Sequence, residues 1–183
     1  MRDYSTTEAI VLRHARTGEA DRVVTLFTQE FGRVSCIAKG VRKVSSSKKS
    51  ALEPGCTISC SLSMGKGMPI ITQAVLIQDV QGAYKDLHIS KALHQILEIC
   101  DALLADGEPD AEMYSLLASS LQVLVEWDAY TSGNRRELLV ERLQQMLRLQ
   151  GYYVDPQLPI SQNVEHAIEK KLRSFDYLTV SGV

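Results

Sequence analysis

Cys56-Thr-Ile-Ser-Cys-Ser-Leu62 alternates without a break. Cys56, Ile58, Cys60 and Leu62 fall on one side of an extended chain and Thr57, Ser59 and Ser61 on the other, which is the period of a half-buried strand. Upstream, Arg22–Thr28 and Arg33–Lys39 are rich in Val, Thr, Ile and Phe and are joined by Gln29-Glu-Phe-Gly32, so they read as a hairpin. Ala9–His14 precedes them, set off by Gly18-Glu-Ala-Asp21, and Pro69–Val80 follows the turn Met64-Gly-Lys-Gly-Met68. Five short strands in the first 80 residues predict a small closed barrel, because closure removes edges that so small a sheet otherwise leaves open.

Beyond Tyr84 the period changes. Ile89, Ala92, Leu93, Ile96, Leu97, Cys100, Leu103 and Leu104 recur at helical spacing until Gly107-Glu-Pro109 stops the run. A second helix is expected from Asp110 to Trp127, with Met113, Leu116, Leu117, Leu121 and Leu124 inward. Asn134 is a suitable cap for a third, carrying Leu138, Leu139, Leu143, Met146 and Leu147 as far as Gly151. Pro156 and Pro159 break the chain before a fourth, opened by Ser161 and carrying Val164, Ile168 and Leu172. The expected class is therefore α+β, with a β-barrel domain over 1–80 and an all-α domain over 81–183. Val41–Ser50, rich in serines and bases, has too little apolar area to fold alone and is expected to be a mobile loop.

The chain has 183 residues, 45% hydrophobic and 23% charged, the profile of a globular protein and not of a disordered or fibrous one. No apolar run approaches the ~20 residues of a membrane helix. The polar start MRDYSTTEAIVL lacks a signal-peptide core, so the expected location is the cytoplasm and the four cysteines are expected to be free thiols. Cys56 and Cys60 have no second ligand pair at zinc-site spacing, and His88, His94 and His166 are scattered.

The net charge of −2 conceals an uneven distribution. Residues 1–80 carry 11 Lys+Arg and 7 Asp+Glu, a balance of +4, while 81–183 carry 9 and 15, a balance of −6. Between Phe31 and Leu52 stand six bases (Arg33, Lys39, Arg42, Lys43, Lys48 and Lys49) and no acid. Such a run suits a polyanion, since contacts to phosphates release counterions and need no base code. If Val34, Cys36 and Ala38 point inward, Arg33, Ser35, Ile37 and Lys39 share the outer face; Arg16, Arg22 and Lys66 lie in or beside neighbouring turns. Tyr4, Phe27 and Phe31 are the only aromatics in this half, so binding would rest on charge more than on stacking.

Catalytic machinery is not evident. No phosphate-binding glycine loop, G-x-S-x-G or H-E-x-x-H motif occurs. Asp106, Glu108, Asp110 and Glu112 are read as partners of a helix dipole, and His14 has no evident carboxylate to orient it. A non-enzymatic protein with no cofactor and no metal is expected. In the third helix Arg135, Leu138, Leu139 and Arg142 share a side, which would suit an acidic peptide with apolar ends, although core leucines with a basic rim explain the same spacing.

Glu8-Ala-Ile-Val-Leu12, Gly18-Glu-Ala-Asp-Arg22, Val24-Thr-Leu-Phe-Thr28, Phe31-Gly-Arg-Val-Ser35 and Ala38-Lys-Gly-Val-Arg42, in this order and spacing, resemble the N-terminal region of the RecO family of bacterial DNA repair proteins. Leu52-Glu-Pro54, Thr72-Gln-Ala74, the Gly107–Pro109 break and Gly151-Tyr152 extend the resemblance over most of residues 1–155. It implies an oligonucleotide-binding (OB) type barrel, a nucleoid-associated role and a non-catalytic job. That job comprises binding single- and double-stranded DNA, annealing complementary strands, and helping RecA load onto DNA coated by single-strand-binding protein, together with RecR. It also implies that the Arg135–Arg142 face receives the acidic tail of single-strand-binding protein. Many members carry a four-cysteine zinc cluster after the Gly-Tyr position; Tyr152–Ser161 contains no cysteine, so that module is expected to be absent. Lys170-Lys-Leu-Arg-Ser174 is similar to a basic segment near the family's C-terminus. Two rivals remain. A helical adaptor would bind DNA only weakly, and a nuclease would need a carboxylate constellation that the Glu19–Asp21 pair alone does not supply.

Overall fold

The computed structural model describes residues 3–43, 46, 48–126 and 132–169. Its strands are β1 (Asp3–Thr17), β2 (Asp21–Thr28), β3 (Gly32–Ala38), β4 (Thr57–Met64) and β5 (Ile70–Gln78). A short 3-10 helix, Gln81–Lys85, leads to α1 (Leu87–Leu103), α2 (Ala111–Val125), α3 (Ser132–Leu149) and α4 (Ile160–Ile168), an α+β layout. The chain divides into two compact units, Met1–Asp79 with Leu104–Tyr114, and Val80–Leu103 with Ser115–Val183. The first unit thus takes in Leu104–Tyr114, residues that the sequence places wholly in the helical half.

In that unit the strands follow the order β1-β2-β3-β5-β4 and close into a barrel. Closure depends on the 15-residue β1, whose first part pairs with β4 (Asp3↔Met64 to Ile10↔Thr57) and whose second pairs with β2 (Ala9↔Thr28 to Thr17↔Asp21). An irregularity between Val11 and Arg13 lets the strand turn from one partner to the other, which is what an extra residue does to a ladder. The sequence pattern marks only Ala9–His14 of this strand. Its start, Asp-Tyr-Ser-Thr-Thr-Glu, lacks an apolar face because it pairs with the serine-rich strand β4.

Ile10, Leu26, Phe27, Cys36, Ile58 and Leu62 are fully buried, and Cys60 and Ile71 nearly so. Burying one large apolar side chain contributes about 1.5–3 kcal/mol. The β2–β3 hairpin turns at Gly32, whose φ of +61° is left-handed, and Thr28 Oγ1 ties the turn by donating to Gly32 O and accepting from Phe31 N. Val24–Thr28 is buried on both faces, and one covering residue is Tyr114, its ring centroid 5.5 Å from that of Phe27.

In the second unit α1 opens on Asp86, whose Oδ1 accepts from His88 N and Ile89 N, and it buries the expected stripe from Ile89 to Leu103. Leu143, Met146 and Leu147 of α3 are buried, and the Cys100 thiol lies 3.7 Å from Met146 Sδ. Several boundaries differ from expectation. Asn134 is the third residue of α3 and not its cap, and α4 begins at Ile160 behind Pro159 and not at Ser161. α2 ends at Val125; Trp127, Leu172 and Lys170–Ser174 lie outside the described residues. Buried Asn163 has a role that no pattern announces: it accepts from Asp155 N and donates to the carbonyls of Asp155 and Leu158, fixing the turn before α4.

Candidate nucleic-acid interface

The described residues at the two ends of the basic stretch between β3 and β4 are tied to the barrel. Val41 and Leu52 are fully buried at its two ends. Gly40 N donates to Asp21 Oδ1 at 2.7 Å and Arg42 N to Ala20 O at 3.0 Å, binding the loop to the β1–β2 turn. Lys48 Nζ donates to Ile71 O, and Leu52 N closes a turn on Lys48 O.

Just past the loop, Glu53 binds two strands at once. Its carboxylate accepts from Arg22 Nη1 at 2.9 Å and lies 3.1 Å from His14 Nε2. Burial alone would push its pKa up, but the hydrogen bonds from Arg22 and His14 outweigh that and hold the carboxyl below its ordinary range. His14 therefore does have a carboxylate partner, 39 positions away and so outside local sequence reasoning. The same carboxylate also faces the Arg22 guanidinium, which makes the trio a structural clasp.

The cations named from the sequence have different fates. Arg16, Lys39, Lys43, Lys49 and Lys66 are exposed. Arg22 is engaged by Glu53, with its side chain only 12% exposed. Arg33 pairs with Asp106, and Lys48 and Arg42 are half-buried, the latter donating to Gly18 O. The register Arg16↔Arg22↔Ala38 gathers Arg16, Lys39, Arg42 and Lys43 at one end of the barrel. The single pair Ile37↔Ile70 brings the start of β5, and with it the Lys66 turn, toward that end. Arg33 pairs with Phe27 at the opposite end of β3, six residues or roughly 20 Å from Lys39.

Asp106 shows why Arg33 departs from the group. The segment before α2 lies beside β3, with Gly107 N donating to Arg33 O at 2.9 Å, and it passes so close to Gly32 that a Cβ there would sit 2.1 Å from Glu108 O. Of the four carboxylates read as dipole partners, Asp110 caps α2 by accepting from Met113 N, while Asp106 binds Arg33.

Among the described residues no cluster of His, Cys, Asp or Glu could hold a metal, and no helix is long and apolar enough to cross a membrane. All four cysteines are free and buried; burial pushes the Cys36 thiol up to about 12 and the Cys60 thiol to about 11, so both stay protonated. Phe27 is core, whereas Tyr4 is well exposed.

In the helical unit Leu138, Leu139 and Arg142 line a small depression together with Ile96, Val123 and Leu124. The buried Arg142 Nε has no hydrogen-bond partner among the described residues, and its Nη1 reaches only Gln145 Oε1, at 3.4 Å. The side chain of Arg135 lies outside what is described.

Residues 1–80 match the family model described as "Recombination protein O N terminal", and residues 84–157 match "Recombination protein O C terminal". The chain is 41% identical over 120 residues to a DNA repair protein RecO of a Nocardioides species, covering 64% of this chain and 49% of that one. It is 33% identical over 129 residues to that of Geobacter metallireducens (70% and 53%), and 30% identical over 152 residues to that of Cutibacterium acnes (81% and 61%). The chain spans about half the length of the curated relatives it matches.

Proposed function

The chain belongs to the recombination protein O family, and from that premise we propose that it is a DNA-binding recombination mediator in DNA repair whose barrel, of the oligonucleotide-binding type, holds phosphate backbones. In this reading it binds single- and double-stranded DNA, anneals complementary strands, and with RecR assists the loading of RecA onto DNA coated by single-strand-binding protein. The observation that carries the reading is the cluster of Arg16, Lys39, Arg42 and Lys43 at one end of the barrel, where the neighbouring acids Asp21 and Glu53 are already engaged. Screening two backbones while leaving base edges free lowers the electrostatic work of bringing strands together, and it needs no nucleotide. The depression at Arg142 would take the acidic, apolar tail of single-strand-binding protein.

The test is annealing of complementary oligonucleotides without nucleotide by the parent and by a Lys39→Glu, Lys43→Glu, Lys49→Glu variant. Loss of annealing, together with parental binding that weakens steeply as salt rises, is the expected result. Unchanged annealing in the triple variant, or a flat salt dependence in the parent, overturns the assignment.

A further inference from the structure

Strand β5 is paired along one side only. It follows β4 from Thr57↔Gln78 to Ser63↔Ile70, but it meets β3 at the single pair Ile37↔Ile70, and Lys48 Nζ takes the next carbonyl, Ile71 O. From Thr72 to Ile77 the groups facing away from β4 have no backbone partner among the described residues. Exposed strand edges are usually guarded by Lys, Pro or inward charges. β5 reads IITQAVLIQ, nine residues with no charge, proline or glycine. Val75, Leu76 and Ile77 are 53%, 38% and 52% exposed. The ladder to β4 is irregular at Thr72 and Ile77, so the regular edge is Gln73–Leu76.

We propose that this edge is an interface with a second copy of the chain, β5 pairing antiparallel with its counterpart about a two-fold axis at Val75. Unpaired N–H and C=O groups in a row call for another extended strand and not for a helix. From Met68 to Gln78 the strand carries no cation, and Lys48 at its start already donates to Ile71 O, so a phosphate backbone finds little counter-charge along this edge. A strand lying against itself is self-complementary only if no like charges meet, and here none do. With the axis at Val75, that residue faces its own copy, Ala74 faces Leu76 and Gln73 faces Ile77, so the side chains left exposed in one chain cover one another in the pair.

Sedimentation velocity on the 183-residue chain, from about 1 to 100 µM, tests the proposal. The mass should rise with concentration from 20.3 kDa toward twice that value. Val75→Lys, which sets two ammonium groups opposite each other, should move the midpoint at least ~10-fold higher, whereas β-branched Val75→Thr should shift it little. Amide exchange at Gln73–Leu76 in the parent should slow as concentration rises, a readout that does not depend on either variant folding. A monomer throughout the range overturns the proposal, as do Val75→Lys dimerising as tightly as the parent and amide protection that ignores concentration. Protection that arises only when another macromolecule is added, with no dimer formed, assigns the edge to a different occupant and likewise overturns it.

Discussion

The two flanks of the barrel handle polar groups in opposite ways. From Phe31 to Leu52 there are six bases and no acid, whereas from Thr57 to Gln78 the only charged residue is Lys66. On the β2–β3 flank two of the nearby acids have structural duties: Asp21 accepts from Gly40 N, and Glu53 from Arg22 and His14. On the β4–β5 flank small hydroxyls bond one another or the backbone, as Thr6 Oγ1 does with Ser61 Oγ and Thr72 Oγ1 with Ser61 O. The contrast teaches that a basic patch is made as much by where its acids are committed as by how many lysines it holds. Lys39, Lys43 and Lys49 stay available because the carboxylates at the feet of their loop are occupied.

The largest expected effect comes where the β3 flank meets the segment before α2. Gly32 combines a φ of +61° with a clearance that would put an added methyl 2.1 Å from a carbonyl oxygen, and neither strain has a flexible side chain to absorb it. Gly32→Ala should destabilise the first unit by ~3 kcal/mol or more, read as a fall in denaturant midpoint. The equivalent change in the Lys66 turn, Gly67→Ala, meets nothing within 4 Å and should have little effect. Equal losses would show that the two flanks are not distinguished by this close approach.

Next in size is the loss of DNA affinity in the Lys39→Glu, Lys43→Glu, Lys49→Glu variant. Three exposed cations reversed at one flank should weaken single-stranded DNA binding ~100-fold or more at low salt and reduce the slope of log K against log salt by ~2, at about 0.7 for each phosphate that is no longer neutralised. Fluorescence anisotropy over a salt series measures both quantities. A fall in affinity with an unchanged slope would mean that the lysines act by holding the loop and not by touching phosphates.

How much of this contrast is legible in the sequence follows from the range of the interactions involved. The strict alternation of Cys56–Leu62 and the 3-and-4 spacing of Ile89–Leu104 are local periodicities, and the structure follows them nearly residue by residue. The pairings His14–Glu53, Arg22–Glu53 and Arg33–Asp106 join residues 39, 31 and 73 positions apart, and no period announces them. The sequence therefore indicates which residues are cations but not which are already paired, so Arg22 and Arg33 look as available as Lys39. Val41 and Leu52 are visible as apolar residues in a polar stretch, the one signal that could reveal where its two ends are buried.

Glu53 supplies a smaller, pH-dependent effect. Its folded-state pKa is lowered, so its contribution is present above the ordinary glutamate range near ~4.3 and is lost as pH falls from there through the folded value. Glu53→Ala should cost about 1–2 kcal/mol at neutral pH, the lower part of the range for charged hydrogen bonds because the side chain is about a third exposed. Glu53→Gln should flatten the acid limb of the stability curve. Urea melts across pH 3 to 7 decide this, and an acid limb unchanged in the glutamine variant would place the titrating group elsewhere.

The smallest effect belongs to Asp106, and it separates the end of the barrel where cations gather from the end that holds Arg33. Asp106 is 77% exposed, so the pair it makes with Arg33 is bathed in water on one side, and such pairs are worth ~0–1 kcal/mol. Asp106→Asn should leave the melting temperature nearly unchanged, since Gly107 N still holds Arg33 O. It should also leave DNA affinity almost where it was. Arg33 is six strand residues from Lys39 and only 16% exposed, so removing the charge of Asp106 adds at most one phosphate partner and at most ~0.7 to the salt slope. A larger gain in affinity would mean that a DNA strand runs the whole length of β3 and that Asp106 competes with it for Arg33, which would extend the basic flank from one end of the barrel to the other.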